Sequence, residues 1–263
     1  MSKHAASAVA MSTVALRKVP EITFFFWFVK LLTTGLGEVF SDFLVRQFNP
    51  IIAVIGGGVG FVVALALQFL VPEYIPGVYW LVVVMVAIFG TMAADVVHVA
   101  LGIPYLISTL AFVIALAGIF GVWYANEKTL SIHRIDSVRR EAFYWAAVVA
   151  TFTLGTAAGD MTAMTMHLGY FDSGVLFAIL IGLTAIASWR FSLQEAMAFW
   201  IAYILTRPLG ASFADWAGRD QLAGGLGVGT GWVSLSLLVV IVLTVGFLSL
   251  TRNERAVARP SPR

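Results

Sequence analysis

Four aspartates stand at one fixed distance from four tryptophans. Trp27, Gly37 and Asp42 share a spacing with Trp80, Gly90 and Asp95, with Trp145, Gly155 and Asp160, and with Trp200, Gly210 and Asp215. Each copy reads W-x9-G-x4-D inside an apolar run. A carboxylate in hydrocarbon costs about 2.5–3.5 kcal/mol on insertion scales, so residues of this kind face a bundle interior or a water-filled cavity and mark ion or proton pathways. Four residues before the aspartates, on the same helix face, stand Glu38, Thr91, Thr156 and Ala211. Three of those four are polar, so the aspartate tops a polar stripe. His98 follows Asp95 by three residues and His167 follows Asp160 by seven, both helical spacings. Carboxylates favour hard cations, and imidazole widens the choice toward Mn²⁺ or Zn²⁺. The candidate ion-binding set is therefore Asp42, Asp95, Asp160, Asp215, Glu38, Thr91 and Thr156, with Asp42, Asp95, Asp160, Asp215 and His98 as the metal ligands. Capping of the following loops, or hydrogen bonding between neighbouring helices, is the structural alternative for the same aspartates.

Two cations break the pattern. Lys30 lies three residues past Trp27, and Arg207 lies inside the seventh apolar segment, directly before Pro208. Depth along the helices makes Glu38 the nearest carboxylate for Arg207 to neutralise. Lys30 has an alternative in snorkelling to the near interface.

The elements that position these residues follow from composition. Of 263 residues, 60% are hydrophobic and 11% charged, and the mean hydropathy is +0.93. Soluble domains carry about 25% charged residues, so this chain belongs to the membrane class. The pI of 9.0 does not indicate nucleic acid, because the basic residues sit at the ends of apolar runs. There is no cysteine, which excludes disulfides, thiolate metal sites and cysteine nucleophiles. Neither HExxH nor GxSxG occurs and no nucleophile–base pair is evident, so an enzyme is not expected. No resident cofactor is expected either.

A helix needs about 20 apolar residues to cross a bilayer. Eight runs qualify, near 22–43, 50–71, 78–98, 103–124, 142–163, 172–190, 195–216 and 230–250. The predicted fold is an all-α integral membrane protein of eight transmembrane helices, arranged as four parallel-oriented helical-hairpin repeats. Residues 1–20 read as a cytoplasmic tail, 21–124 as the first membrane half with repeats one and two, and 125–141 as a cytoplasmic linker. The second half, with repeats three and four, spans 142–250, and 251–263 form a second cytoplasmic tail. Residues 5–16 are too rich in Ala, Ser and Thr for a signal-peptide core, and Arg17 and Lys18 follow them. Twelve Lys and Arg residues flank the helices on the N-terminal side, against Arg46, Arg207 and Arg219 toward the other. That asymmetry predicts cytoplasmic termini. Glycine ten residues after each tryptophan is followed four later by Ser41, Ala94, Gly159 or Ala214, a small-xxx-small packing seam. Gly56 and Gly60 suggest another seam on the second helix.

The segments KVPEITFFFWFVKLLTTGLGEVFSD, RREAFYWAAVVATFTLGTAAGDMTA and FWIAYILTRPLGASFADW resemble the signature segments of a bacterial family of uncharacterised membrane-anchored proteins. The resemblance covers about residues 18–250 and implies a polytopic inner-membrane protein. It carries no activity. From the residues themselves, the expected function is secondary transport of a small inorganic cation, Mn²⁺ or another divalent ion first, with proton coupling open. Arg207 would balance the charge of the site. A non-transporting membrane scaffold is the alternative. The expected partners are the lipid bilayer and the cation, with homo-oligomerisation left open.

Overall fold

The computed structural model describes residues 18–257, with side chains described through Thr251. The expected tails lie largely outside the described residues, as does the stretch at 5–16. Eight long helices follow in chain order: α1 (Phe24–Gln47), α2 (Pro50–Leu70), α3 (Pro76–Asp95), α4 (Tyr105–Glu127), α5 (Val138–Asp160), α6 (Gly169–Phe191), α7 (Glu195–Gly218) and α8 (Thr230–Val257). Among the described residues there is no strand. Local chemistry sets several boundaries. Thr23 caps α1 by accepting from the Phe26 N–H. Asn49 caps α2 by accepting from Ile51 and Ile52, with Pro50 in the first turn, where its missing N–H costs nothing. Lys128 and Ser192 take left-handed backbone where α4 and α6 end.

Among the described residues, seven of these eight helices are long and apolar enough to cross a membrane; α7 is the exception. It carries Glu195, Arg207 and Asp215 among its residues, and the fold shelters it from lipid. The first helices of the repeats, α1, α3, α5 and α7, form a closed inner ring in that order, α7 returning to α1. The second helices lie outside. Each rests mainly on the first helix of the next repeat: α2 on α3, α4 on α5, α6 on α7, and α8 back on α1. A hairpin is thus a unit of sequence but not of packing. Burial follows this arrangement: over half of each spanning window is buried in α1, α3 and α5, against 11–22% in α2, α4, α6 and α8. The outer faces carry exposed Ile, Leu and Val, as a surface in contact with lipid chains should. The chain is a multi-pass membrane protein.

Ring closure is written in two contacts that recur with the repeat. The aromatic before each tryptophan packs on the next repeat's tryptophan. Phe26 meets Trp80 at 5.8 Å, Tyr79 meets Trp145 at 5.5 Å, Tyr144 meets Trp200 at 6.1 Å, and Phe199 meets Trp27 at 5.7 Å. Ten residues further along, each repeat glycine receives the residue seven past the next repeat's tryptophan. A Cβ on Gly37 would stand 2.5 Å from the Ala87 Cβ, and one on Gly90 3.0 Å from the Phe152 Cβ. On Gly155 it would overlap the Arg207 side chain, and on Gly210 that of Thr34. These glycines exist so that neighbouring backbones can approach closely. The seam expected at Gly56 is displaced. Gly56 faces open space, whereas Gly57 meets Met92 and Gly60 meets Met85 of α3.

The expected linker at 125–141 is shorter, because α4 runs to Glu127 and α5 starts at Val138. What remains is packed beneath the ring. Ile132 and Ile135 are buried, and the Trp200 indole donates to the Leu130 carbonyl at 3.0 Å. Buried Glu141 joins this end of the bundle by accepting from Lys18 at 2.7 Å and Gln68 at 2.9 Å.

Candidate functional site

The inner ring encloses an axis of polar residues, one layer above another. Nearest the termini are Trp80, Trp145 and Trp200 with Tyr79, Tyr144 and Tyr203, all buried. The Tyr79 and Tyr144 hydroxyls hydrogen-bond each other at 2.5 Å. These aromatics close the axis on that side.

Lys30 comes next. Snorkelling is excluded, because the side chain turns inward and is 1% exposed. Its ammonium lies 3.7 Å from the Phe152 ring centroid and 3.9 Å from that of Tyr203, with no hydrogen-bond acceptor. Among the described residues, these aromatic faces are what compensates it.

About one turn further stands Arg207, fully buried. Its guanidinium donates to the Thr34 carbonyl at 3.2 Å, to Glu38 Oε2 at 2.8 Å, to Thr156 Oγ1 at 2.7 Å and to Thr91 Oγ1. Arg207 from α7 therefore ties α1, α3 and α5 together. The pairing with Glu38 is the one that depth along the helices predicts. The planar fork of arginine can reach several helices at once, which lysine's point charge cannot. Pro208 continues the seam by packing against Gly155 and Gly159 of α5.

The repeat aspartates lie beyond, toward the face opposite the termini. Glu38, Asp160 and Asp215 come together, each offering a carboxylate oxygen within 4.8 Å of the others. Asp215 also lies 3.0 Å from Arg219 Nε. Asp42 is drawn off to Arg219 at 3.0 Å and Arg46 at 3.4 Å. Asp95 is half-buried and stands outside the close trio. Among the described residues, neither Asp95 nor Asp160 forms an ion pair. Burial alone would lower the pKa of Arg219, just past the end of α7. Asp215 and Asp42 outweigh burial and raise it above its ordinary value, so the residue stays charged.

His98, expected among the ligands, turns elsewhere. Its Nδ1 lies 3.2 Å from Ser108 Oγ on α4, and its ring stacks on Tyr105 at 4.3 Å. His167 takes left-handed backbone in the turn before α6 and joins no carboxylate group among the described residues. Thr91 and Thr156 do enter the polar axis, through Arg207. Each also donates its hydroxyl to a carbonyl one turn back, Ala87 at 2.8 Å and Phe152 at 3.1 Å.

Sequence reasoning missed two features. Asp95 and Asp160 each end an α-helix that continues as one π-helical turn, Val96–Ala100 and Met161–Thr165. Periodicity does not report such turns, which are frequent at functional sites. Arg219, counted only among the basic residues toward the far side, reaches in to bridge Asp42 and Asp215. Its position four residues past Asp215 was the available signal.

Four in-phase helix pairs closed around a buried charged axis define an internally repeated, multi-pass membrane protein. A family model matches all four pairs, at residues 25–74, 78–129, 143–193 and 198–254. The chain belongs to that family, the Repeat of Unknown Function (DUF347). No curated protein and no solved structure matches it.

Proposed function

We propose that the protein is a secondary transporter of a small inorganic cation, with a divalent ion such as Mn²⁺ as the first candidate. One observation carries the reading: Glu38, Asp160 and Asp215 converge from three different repeats to within 4.8 Å. Three carboxylate oxygens that close together can converge on one hard divalent ion with a small inward shift of the side chains. Asp95, half-buried and without an ion pair among the described residues, would draw cations to the mouth. Lys30, Arg207 and the aromatic layer bar the other end, so a cation entering the trio could leave toward the termini only after the ring rearranges. That is the requirement of alternating access. The excess of basic residues on the termini side supports cytoplasmic termini in a bacterial inner membrane.

The scaffold reading has its own support. Glu38, Asp42 and Asp215 each face an arginine, as structural ties would. Asp160 separates the two, since among the described residues no cation pairs with it. In detergent, the melting temperature of the purified chain should rise with a selected divalent ion and not with others, because a ligand that binds only the folded state stabilises it. Asp160→Asn should abolish that shift, and Asp160→Asn with Asp95→Asn should stop uptake into proteoliposomes. Uptake that survives both replacements refutes the site. A melting temperature unmoved by any ion or pH favours the scaffold.

A further inference from the structure

A cavity lies away from the polar axis. It measures about 590 Å³, within the roughly 300–1,000 Å³ of small-molecule sites. It opens between α1, α6 and α7 toward the termini end. Its walls include Trp27, Leu31, Ile181, Ala185, Phe199 and Leu209.

The cavity exists because one repeat lacks the aromatics that fill the corresponding space in another. On α4, Phe120 and Trp123 cover Trp200, with ring centroids 5.0 and 5.8 Å away. At the same places counted from its own start, α6 carries Thr184 and Ala187, with Ala185 and Ser188 beside them. Trp27 is accordingly the one repeat tryptophan left partly uncovered. The hydroxyls within the cavity are already engaged. Thr184 donates to the Leu180 carbonyl at 2.8 Å and Thr206 to that of Ala202 at 2.5 Å. The body of the space is effectively apolar.

Its rim is polar. Ser131, His133, Ser188 and Glu195 gather there. The His133 Nε2 lies 2.9 Å from Glu195, which leaves Nδ1 free. Ser131 Oγ accepts from the His133 N–H at 3.4 Å, so its own proton remains to be donated. Beside the cavity, α6 exposes Ile179, Leu183 and Ile186, an outward face suited to lipid chains.

We infer that this cavity is a phospholipid site, which holds one acyl chain against Trp27 and the phosphate-ester head at Ser131, His133 and Ser188. An apolar slot with serine hydroxyl donors at one end, beside an imidazole held by Glu195, matches that amphiphile. The slot opens on the surface where such molecules surround the protein. The inference stands independently of the cation site.

Native mass spectrometry of the detergent-purified full chain tests it. The wild-type chain should retain one phospholipid through delipidation. Ala185→Phe, which fills the slot, should lower that occupancy at least tenfold, while Ile179→Phe on the outward face leaves it unchanged. Should Ala185→Phe fail to fold, a second measurement serves. Phosphatidylcholine brominated in one acyl chain should quench the wild-type tryptophan emission, and Trp27→Phe should remove a saturable share of that quenching. No retained lipid, equal retention by Ala185→Phe, no saturable Trp27 share, or a second copy of the chain in place of the lipid would each overturn the proposal.

Discussion

Arg207→Met removes the one side chain that touches all three neighbouring inner helices. The guanidinium is fully buried and Glu38 is 3% exposed, so the substitution leaves a carboxylate in the interior with its cation gone. Breaking a buried pair from one side costs about 3–5 kcal/mol. For a chain of this size each kcal/mol is worth about 2–4 °C, so the melting temperature should fall by roughly 10 °C. The two threonines should not add much to the loss, because each keeps its bond to a carbonyl one turn back. The double variant Arg207→Met with Glu38→Leu makes the test decisive. It replaces both charges with apolar groups, a change that is often neutral or stabilising for buried pairs. The double variant should recover at least half of the loss caused by Arg207→Met. Melting curves of the four proteins in one detergent give the coupling directly. If the double variant is as unstable as the sum of the single ones, the pair is not the tie described here.

Two further perturbations separate close packing and isolated charge. Gly37→Ala would place its Cβ 2.5 Å from the Ala87 Cβ and 2.7 Å from the Ala87 carbonyl carbon. The second contact is with backbone that cannot swing aside, so it should cost at least about 1–3 kcal/mol. Gly56→Ala meets nothing within 4 Å and should stabilise α2 by about 0.5–1 kcal/mol. Equal effects at the two positions in thermal melts would count against the seam. Lys30→Met should raise the melting temperature by a few degrees, since it removes an ammonium that has no hydrogen-bond acceptor. Two aromatic faces return only about 2 kcal/mol or so when desolvated, against a penalty of several kcal/mol for the buried ion. A lower melting temperature for Lys30→Met would show that the rings more than compensate.

The repeat and the helix count were legible because both are one-dimensional. Apolar runs of spanning length and a fixed tryptophan–glycine–aspartate spacing need no knowledge of what lies beside them. The Arg207–Glu38 pair was legible for a related reason. In helices of common orientation, the rise per residue converts sequence position into depth, and residues at one depth can meet. Lateral neighbours were not legible. Nothing along the chain says that α2 rests on α3 more than on α1, or that α8 closes onto α1. The same gap explains His98, whose depth suits the carboxylates but whose azimuth points to Ser108 and Tyr105. Depth came from the sequence, whereas azimuth required the ring. Lys30 shows a different limit. A stem of four aliphatic carbons lets lysine reach either way, and it turns toward the Phe152 and Tyr203 rings.

A fourfold scaffold would put four equivalent charges around its axis, and this chain departs from that in a definite way. The residue seven past the repeat tryptophan is Thr34, Ala87, Phe152 or Arg207, and the residue eleven past it is Glu38, Thr91, Thr156 or Ala211. Near the axis only one arginine fits, because its head occupies the space that all four helices share. Its counter-charge falls on α1, the ring neighbour of α7, while α3 and α5 supply hydroxyls. The first and last repeats thus carry the basic side chains Lys30, Arg207 and Arg219, together with Glu38. The middle two contribute the aspartates without an ion pair, Asp95 and Asp160, each followed by a π-helical turn. A carboxylate already tied to an arginine responds less to a ligand than one without an ion pair. If the protein moves a cation, Arg207 and Arg219 hold the ring, and Asp160 is the member of the Glu38, Asp160 and Asp215 trio with most to gain from the ion. Asp95→Asn and Asp160→Asn should then impair uptake while leaving the fold's melting temperature close to that of the wild-type chain, and Arg207→Met should lower it.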